Sequence, residues 1–598
     1  MSVQGLLLLA PLTPLLLAGL WCLQGYRDSA ATPAQRSPHK NAPPAVLPWL
    51  AALAPLPALF IALFGSPGTH LTLEPVLLGN LWILDDVSRA LLGMSALLWL
   101  ISGLYAIRYP PTRCHGDQHN TGFWLCWLLA LGGNLGLILC RDIAGFYSFF
   151  ALMTFAGYGL VVHSGSAAAK RAGRIYLIMA VPGEMLILSG LVLAASAAAS
   201  PTLQALPPAI ADHPWGSAIT ALLWAGFGIK AGLALLHMWL PLAHPVAPTP
   251  ASAVLSGAMI KAGLLGWVLV LPLGLTSVPW AALAMTGALI AAIGGALIGI
   301  TQRAPKAVLA YSSISQMGII TSMLAAGLMQ PALWPALAPA VVLYAVHHGL
   351  AKGALFLGVS GLHGHRGKAR LWLWLPALSL AGLPLTTGAA AKVAMKEVLY
   401  DVSYPGLILL LSLAAAGTTL LMVRFMYCLR QTSLQAERDG HGEAPPRALM
   451  VLTGLAILAS LTGLPWLTAS LTHDITAPRW PGAADAVQLI WPVALGLVLG
   501  GLVIAVAARG RLPGQKASWL SVPAGDLVVL IEHAVTILRR LWQQRPGRTW
   551  RWENLVRTES RWLARIGQQV ARLDQRVTGQ ASALFVVLAI VIMLLAGA

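Results

Sequence analysis

The chain has 598 residues, of which 57% are hydrophobic and 10% charged, and its mean hydropathy is +0.74. This composition excludes a water-soluble globular protein and predicts an all-α polytopic membrane protein. The 38 Lys and Arg outnumber the 20 Asp and Glu, but they fall in short connections between apolar runs, where basic residues set topology. The excess therefore indicates no nucleic-acid partner.

Apolar runs long enough to cross about 30 Å of hydrocarbon recur along the whole chain. The first run has no basic residue before it and no small-residue cleavage site, so we expect a spanning helix there and not a removable signal peptide. About sixteen spanning helices are predicted, over residues 3–23, 47–64, 86–107, 122–140, 143–163, 175–199, 216–236, 251–273, 280–300, 307–328, 333–360, 371–400, 404–429, 447–469, 486–508 and 581–598.

Basic residues occur in every second connection between these runs. Because Lys and Arg accumulate in cytoplasmic loops, this alternation supports the helix count. It places the N-terminus outside a cell (inner) membrane and the basic loops in the cytoplasm. The basic connections contain Arg27, Arg36 and Lys40; Arg108 and Arg113; Lys170, Arg171 and Arg174; Arg303 and Lys306; Arg366, Lys368 and Arg370; and Arg430, Arg438 and Arg447.

A long polar stretch over residues 509–580 has 13 Lys and Arg against 5 Asp and Glu. Part of it is amphipathic as a helix, and we expect this helix to lie in the cytoplasm on anionic lipid or to dock neighbouring subunits. A C-terminal anchor over 581–598 follows. The apolar face has Leu555, Trp562, Leu563, Ile566, Val570, Leu573 and Val577, and the basic face has Arg557, Arg561, Arg565, Arg572 and Arg576.

The sequence indicates neither a cofactor nor a metal site. No nucleotide-binding glycine motif is present, and the cysteines lack the spacing of a zinc or iron–sulfur site. We therefore expect no bond chemistry in this chain, so that any redox or ATP chemistry would belong to another subunit. The five cysteines are Cys22, Cys114, Cys126, Cys140 and Cys428.

Ionisable residues recur inside the predicted spanning helices, although burying one in a bilayer costs a few kcal/mol. A lysine removed from water holds or releases a proton according to the charges beside it, so a row of them predicts a proton relay. Lys306 and Lys396 stand near helix ends, where a lysine often snorkels to the interface, and His347 and His348 could instead be hydrogen-bonded core residues. The relay candidates are Lys230, His237, Lys261, His348, Lys352 and Lys392.

Gly and Pro interrupt two of the helices that carry these residues. We expect broken helices at Trp239 to Pro250 and at Gly382 to Gly388, one in each half of the molecule. Breaks of this kind open backbone groups to an ion path in transporters with inverted repeats.

These residues resemble a signature of the antiporter-like subunits of complex I, of Mrp cation/proton antiporters and of membrane-bound hydrogenases. The match reads Lys230-Ala-Gly-Leu-Ala-Leu-Leu-His237-Met-Trp-Leu-Pro241-Leu-Ala-His244-Pro-Val-Ala-Pro-Thr-Pro-Ala-Ser252 and continues to Met259-Ile-Lys261-Ala-Gly263. It goes on in the family's order with Ala310 to Gly318, His348 to Lys352 with Phe356, and Gly382 to Lys392. The resemblance covers roughly residues 80 to 430, and the residues of these motifs are most similar to those of the hydrogenase and Mrp branches.

The resemblance implies an antiporter-like core of about fourteen helices with two inverted five-helix repeats, each a proton half-channel, plus extra C-terminal helices. The implied division is 1–121 for N-terminal transmembrane helices, 122–273 for the first repeat, 280–429 for the second, 430–508 for peripheral transmembrane helices, 509–580 for the basic segment and 581–598 for the anchor.

Residue roles carry over by position. Lys230 would be the lysine of the first half-channel, with His237 near the break of that repeat. Lys261 would be the central connecting lysine. The second half-channel would have His348 and Lys352 in its axis and, as its terminal lysine, Lys392.

One position departs from the family pattern. Where the family has a glutamate paired with the lysine of the first half-channel, this chain has Ala151. Glu184, two residues after Pro182 in the next helix, is the nearby intramembrane acid that could pair with Lys230 instead. The competing hypothesis is a first half-channel that no longer pumps, within a non-conducting scaffold subunit.

We therefore predict an ion-translocating, antiporter-like subunit of a multisubunit complex, which moves protons, or Na⁺ and protons, through buried Lys and His. Its expected partners are other membrane subunits and a soluble redox or catalytic module. A proton-translocating oxidoreductase of the NADH:quinone or hydrogenase type would supply redox energy. In an inorganic carbon uptake system, a soluble catalytic protein would use the proton flux instead. The sequence contains no flavin, haem or iron–sulfur cluster motif that would support quinone reduction by this chain itself.

Overall fold

The computed structural model describes residues 3–30, 46–73, 80–109, 117–361, 368–438, 447–471 and 481–508, with isolated positions between 522 and 537. Within these ranges, 12 helices are long and apolar enough to cross a membrane. The predicted polytopic helical architecture is confirmed.

The N-terminal part consists of six spans, the second of which is two short helices joined at Pro55. Its helices are α1 (Val3–Ala30), α2 (Val46–Leu53), α3 (Leu56–Phe64), α4 (Asp86–Arg108), α5 (Asp117–Leu139), α6 (Ile143–Val162) and α7 (Ala167–Ala195).

The middle of the chain is built from short helices around a break, and one turn of it, Leu255–Met259, is π-helical. These helices are α8 (Leu206–Asp212), α9 (Gly216–Ala231), α10 (Trp239–Val246), α11 (Thr249–Val254) and α12 (Lys261–Val270).

The C-terminal half consists mostly of long helices, with a second break between short helices. They are α13 (Ala281–Gly299), α14 (Pro305–Met329), α15 (Trp334–Gly361), α16 (Lys368–Leu371), α17 (Trp374–Ala381), α18 (Thr387–Leu399), α19 (Leu407–Arg438), α20 (Arg447–Leu471) and α21 (Ala483–Ala508).

Twelve of the sixteen predicted spans coincide with helical segments long and apolar enough to cross a membrane, and four do not. The spans at 216–236 and 371–400 are broken, because α9 and α17 end at Gly232 and Gly382 in the left-handed conformation, with φ of +76° and +94°. The apolar part of α20 is described only over residues 447–461, and 581–598 lies outside the described residues.

Helix α7 begins eight residues before its predicted start at 175. Ser166 caps it by accepting a hydrogen bond from the Ala169 amide at 3.2 Å, and the alanines that follow favour the helix. The basic residues Lys170, Arg171 and Arg174 are therefore part of α7 and not of a loop.

A two-stranded antiparallel hairpin, which the sequence analysis did not predict, precedes α4. It pairs β1 (Thr69–Leu73) with β2 (Asn80–Leu84) so that Thr69 faces Leu84. The alternate side chains of β2 are buried, including Trp82. The hairpin closes one end of the bundle beside the junction of α5 and α6.

Helices α14 and α15 form the interior of the molecule. Protein encloses 100% of the apolar stretch of each, against 33% for α7 and 28% for α21. Polar residues on α14 and α15 are thus far from lipid. The basic amphipathic segment predicted at 509–580 lies almost entirely outside the described residues; of its isolated described positions, Glu532 forms an ion pair of 2.7 Å with Arg171.

Candidate functional site

The described spanning helices enclose many more basic than acidic side chains. Glu184 is the one buried acid among them, on α7. The buried basic residues in and between these helices are Arg89, Arg141, Lys230, His237, His244, Lys261, His347, His348, Lys352, Lys392 and Lys396.

Lys230 lies in the last turn of α9 and points towards α6 and α7. Its Nζ donates to Thr154 Oγ1 at 3.2 Å and to Tyr176 Oη at 3.3 Å. Both hydroxyls give their own protons to backbone carbonyls, of Phe150 and Thr154, so they are free to accept from the ammonium group. The rings of Phe150 and Tyr176 also face Nζ, at 5.9 and 5.7 Å from their centroids.

Glu184 and Lys230 line the same small cavity between α6, α7 and α9. Its water-accessible volume of about 20 Å³ is enough for one water molecule. The two groups are close enough for their charges to interact, although no ion pair within 4.0 Å joins these two described side chains. Both carboxylate oxygens of Glu184 are buried and accept no hydrogen bond of standard geometry from the described residues, although the Thr154 side chain is close enough to interact with them.

Ala151 lies in α6, one turn before Thr154. Thr154 presents a hydroxyl and no charge to Lys230. The carboxylate in this cavity therefore comes from α7, through Glu184, and not from α6.

Lys261 and His348 form a buried contact between α12 and α15. Lys261 Nζ lies 2.8 Å from His348 Nδ1 and 3.1 Å from the carbonyl of Ser256, to which it donates. Ser256 belongs to the π-helical turn, where wider i to i+5 bonding alters the usual pairing of backbone groups. His348 Nε2 is buried without a partner among the described residues.

Lys352 follows His348 by one turn on α15 and faces α14. Its Nζ donates to the carbonyl of Leu309 at 2.8 Å and to the hydroxyl of Ser312. The charges of Lys261 and Lys352 are close enough to interact. The predicted axial residues Lys261, His348 and Lys352 are therefore brought together.

Lys392 occupies the second break. It donates to the carbonyl of Ala381, the last residue of α17. A Cβ at Gly382 would lie 2.7 Å from Lys392 Cδ, so glycine is required here for space as well as for its φ of +94°. The lysine thus satisfies a carbonyl that the break leaves without a helical donor.

His347 is oriented away from His348 and towards α18. Its Nδ1 lies 2.9 Å from Thr387 Oγ1, and its charge can interact with that of Lys392. A Cβ at Gly388 would lie 2.9 Å from His347 Nε2 and 1.7 Å from the Ser379 carbonyl. His347 therefore occupies a tight gap between α15 and the second break.

The two breaks share one backbone pattern. In each, a glycine ends the helix in the left-handed conformation and a leucine three residues later also has positive φ: Leu235 at +67° after Gly232, and Leu385 at +64° after Gly382. Non-glycine residues rarely adopt this region. His237 lies within the first break, with its ring 6.3 Å from that of Tyr311.

Two residues that the sequence analysis left out of the relay also belong to this interior. His244 stacks on Phe356 at 4.6 Å, and both its ring nitrogens are buried without a partner among the described residues. Lys306 donates to the carbonyl of Ala247 at 2.7 Å, directly after α10. His244 could have been found from the matched signature, but the direction of Lys306 depends on the fold.

A second charged cluster lies outside the spanning segments, at the junction of α5 and α6. Arg141 is fully enclosed and donates through Nη2 and Nε to Asp85 Oδ2, at 2.6 and 3.0 Å. Burial raises the pKa of Asp85, but Arg141 and the hydrogen bonds from Ser88 outweigh it and hold that pKa below its ordinary value. Asp142 caps α6 through the Gly145 amide at 2.6 Å and accepts from the Leu81 amide of β2 at 3.0 Å.

Within the described part of the chain, no group of three or more His, Cys, Asp or Glu could hold a metal ion. The polar interior contains titratable Lys and His side chains whose partners are hydroxyl and carbonyl groups. Groups of this kind can exchange protons.

Comparisons with known proteins bear on this arrangement. Residues 140–419 match the family described as NADH:quinone oxidoreductase/Mrp antiporter, TM. Hydrogenase-4 component B of Escherichia coli (strain K12) is 27% identical over 429 residues, which are 65% of this chain and 63% of that protein. The uncharacterized protein Rv0083 of Mycobacterium tuberculosis is 30% identical over 459 residues, 66% of this chain and 70% of that protein. The chain thus spans less than two thirds of the hydrogenase component.

Among solved structures, a chain of the Mrp complex from Dietzia sp. DQ12-45-1b superposes with a TM-score of 0.68 at 22% identity. The match covers 94% of this chain and 63% of that one. At this identity the likeness establishes the fold alone.

Proposed function

Because the chain belongs to the NADH:quinone oxidoreductase/Mrp antiporter family, we propose that it is an ion-translocating subunit of a multisubunit membrane complex. Protons move through it, alone or in exchange for Na⁺, by alternating protonation of buried Lys and His. The chain supplies the path. A redox module, a soluble catalytic protein or an ion gradient acting through sister subunits supplies the energy.

The contact between Lys261 and His348 carries this proposal. An ammonium group 2.8 Å from an imidazole nitrogen, with both residues buried, is a geometry in which a proton can be shared. Five lysines are buried in the described helices against a single carboxylate. Since an unpaired buried charge is expensive, not all five can be protonated at once, and a proton added at one lysine favours release at another.

Glu184 takes the place of the family glutamate in this proposal. It shares a cavity with Lys230, and no hydrogen bond of standard geometry from the described residues ties up its oxygens. A water in that cavity would connect the carboxylate to the ammonium group. The protonation of Lys230 would then depend on Glu184, as a switch requires.

Orientation and partners follow the sequence pattern. We place the N-terminus outside and the basic loops in the cytoplasm, and assign the basic segment over 509–580 to anionic lipid or to the soluble partner.

A scaffold without conduction is the second candidate function, and Ala151 favours it. The helix that provides the acid in the family provides none here, so coupling in the first half-channel rests on Glu184 alone.

Proton uptake into vesicles that hold the reconstituted complex distinguishes ion translocation from a non-conducting scaffold. Lys230→Ala, Glu184→Gln and Lys392→Ala are compared with wild type at matched amounts of folded protein, with Lys170→Ala at the exposed start of α7 as the control. Loss of uptake in all three supports the complete relay. Loss in Lys392→Ala alone means that the first half-channel is vestigial. Wild-type uptake in all three means that the chain is a scaffold.

A further inference from the structure

Lys396 lies one turn beyond Lys392 on α18 and is turned inward. Its place near a helix end predicts a lysine that snorkels to the interface, but its side chain is buried, with 8% of the residue exposed. Residues one turn apart on a helix are neighbours, so two ammonium groups at these positions repel each other. A second buried lysine here needs a reason.

The partners of Lys396 come from α19 and α21. Its Nζ donates to Ser412 Oγ at 2.9 Å and, more weakly, to the carbonyl of Gln488 at 3.5 Å. Ser412 gives its own proton to the carbonyl of Ile408 at 2.7 Å, so its oxygen is free to accept from the lysine.

The Gln488 carbonyl is available because of Pro492. A proline in a helix has no amide proton for the carbonyl four residues before it, and Pro492 stands four residues after Gln488 in α21. Lys396 thus supplies a donor that α21 itself lacks.

Lys396 lies at the end of the bundle opposite Lys306. Helix α14 starts beside Lys306 and ends at Met329, where Gln330 Nε2 donates to Ser403 Oγ at 3.4 Å. Ser403 belongs to the short connection between α18 and α19, directly after Lys396. A proton that moves from Lys392 to Lys396 therefore moves towards this opposite surface.

We propose that Lys396 is the outermost proton carrier of the second half-channel and that the interface of α18 with α19 and α21 is the exit of its path. This inference rests on the proposed function. The ammonium of Lys392 passes one proton to the neutral amine of Lys396, which becomes ammonium and then gives the proton to water, directly or through the Ser412 hydroxyl. Mutual repulsion keeps the two lysines from being charged together, so each transfer empties Lys392 for the next proton.

Proton uptake by vesicles with the reconstituted complex tests this exit. Lys396→Met keeps an unbranched apolar stem out to Cε and removes the ammonium group, and we expect uptake to fall about tenfold or more. Lys396→His restores a titratable group, so part of the uptake returns, with a pH profile displaced towards lower pH because histidine titrates well below lysine. Lys170→Met at the exposed start of α7 is the matched control.

Pro492→Ala tests the positioning without altering Lys396. The new amide would occupy the Gln488 carbonyl and leave the lysine with Ser412 alone, and we expect uptake to fall a few-fold. Should Lys396→Met fail to assemble, Lys396→His decides, since wild-type uptake with an unchanged pH profile in it overturns the proposal.

Wild-type uptake in Lys396→Met together with loss in Lys392→Ala would overturn the exit while leaving the proposed function intact. Wild-type uptake in both variants would show that the second half-channel carries no protons and would overturn the exit, and wild-type uptake in Lys230→Ala as well would contradict the proposed function itself. Equal loss in Lys396→Met and Lys396→His, with an unchanged pH profile, would reduce Lys396 to a packing residue.

Discussion

Lys261 Nζ and His348 Nδ1 lie 2.8 Å apart across the interface of α12 and α15, and both residues are buried. Arginine keeps a positive charge and its donors but does not release a proton in proteins. If protons pass through Lys261, Lys261→Arg should lower vesicle proton uptake about tenfold or more, although the buried charge persists. Lys170→Arg, at an exposed position of α7, should behave as wild type. Wild-type uptake in Lys261→Arg would mean that a fixed charge is sufficient at this position.

Moving the acid from α7 back to α6 tests the role of Glu184. Glu184→Gln removes the one carboxylate in the Lys230 cavity, so we expect proton uptake to fall. Adding Ala151→Glu to that variant restores an acid on the neighbouring helix and should recover part of the uptake. The single variant Ala151→Glu is the control for damage to packing. A double variant as inactive as Glu184→Gln, in a protein of normal thermal stability, would argue against an exchangeable partner.

The ion pair of Asp85 and Arg141 predicts a pH-dependent stability. The pKa of Asp85 is below its ordinary value in the folded chain, so the pair stabilises the fold above the unfolded pKa of about 4, and this stabilisation is lost as the pH falls through the folded pKa. Asp85→Asn should lower the free energy of unfolding by about 3 kcal/mol near neutral pH, the low end for breaking a buried pair because Asp85 is partly exposed.

Thermal unfolding in detergent between pH 7 and pH 3 measures this effect. The difference in midpoint between wild type and Asp85→Asn should shrink on the acid side. A constant difference across that range would show that the variant acts through packing alone.

Two glycines with positive φ allow the cost of backbone strain to be measured apart from the cost of a side-chain clash. Gly406 has φ +67° and open space around it, so Gly406→Ala carries the conformational cost alone, about 1 kcal/mol. Gly382→Ala adds a clash with the Lys392 side chain and should displace that lysine. We expect Gly382→Ala to lose proton uptake and Gly406→Ala to retain it, measured at equal amounts of folded protein. Equal uptake by the two variants would show that the contact between Gly382 and Lys392 is unimportant for transport.

The spans were largely predictable because a bilayer forces apolar runs of nearly fixed length. Twelve of them coincide with helical segments long and apolar enough to cross a membrane. The hairpin was missed because Thr69 to Leu84 is too short and mixed in composition to stand out between two long apolar runs. The early start of α7 was missed because its first turns are basic, although Ser166 is a recognisable cap.

The buried basic residues were predictable one by one, but their contacts were less so. Lys230, Lys261 and Lys392 are conspicuous because lysine is rare in apolar runs. The inward direction of the Lys396 side chain could not be predicted. One of its partners is the carbonyl of Gln488, which lies 92 residues later in the chain and is left without a helical donor by Pro492. The pair of Asp85 and Arg141 was missed for a similar reason: 56 residues separate the partners, and each alone is an ordinary charge at a helix end.

The full enclosure of Arg141 has a consequence for biogenesis. Two of its hydrogen bonds go to the carbonyls of Ile138 and Cys140, which come with it in the chain, and the others go to Asp85, which is synthesised earlier. When α5 and α6 reach the membrane, every partner of the guanidinium group has already left the ribosome. The guanidinium group therefore needs no later segment for its hydrogen bonds, whereas the backbone of the junction is completed only by residues 201–203, where the Leu203 amide donates to the Arg141 carbonyl at 2.7 Å.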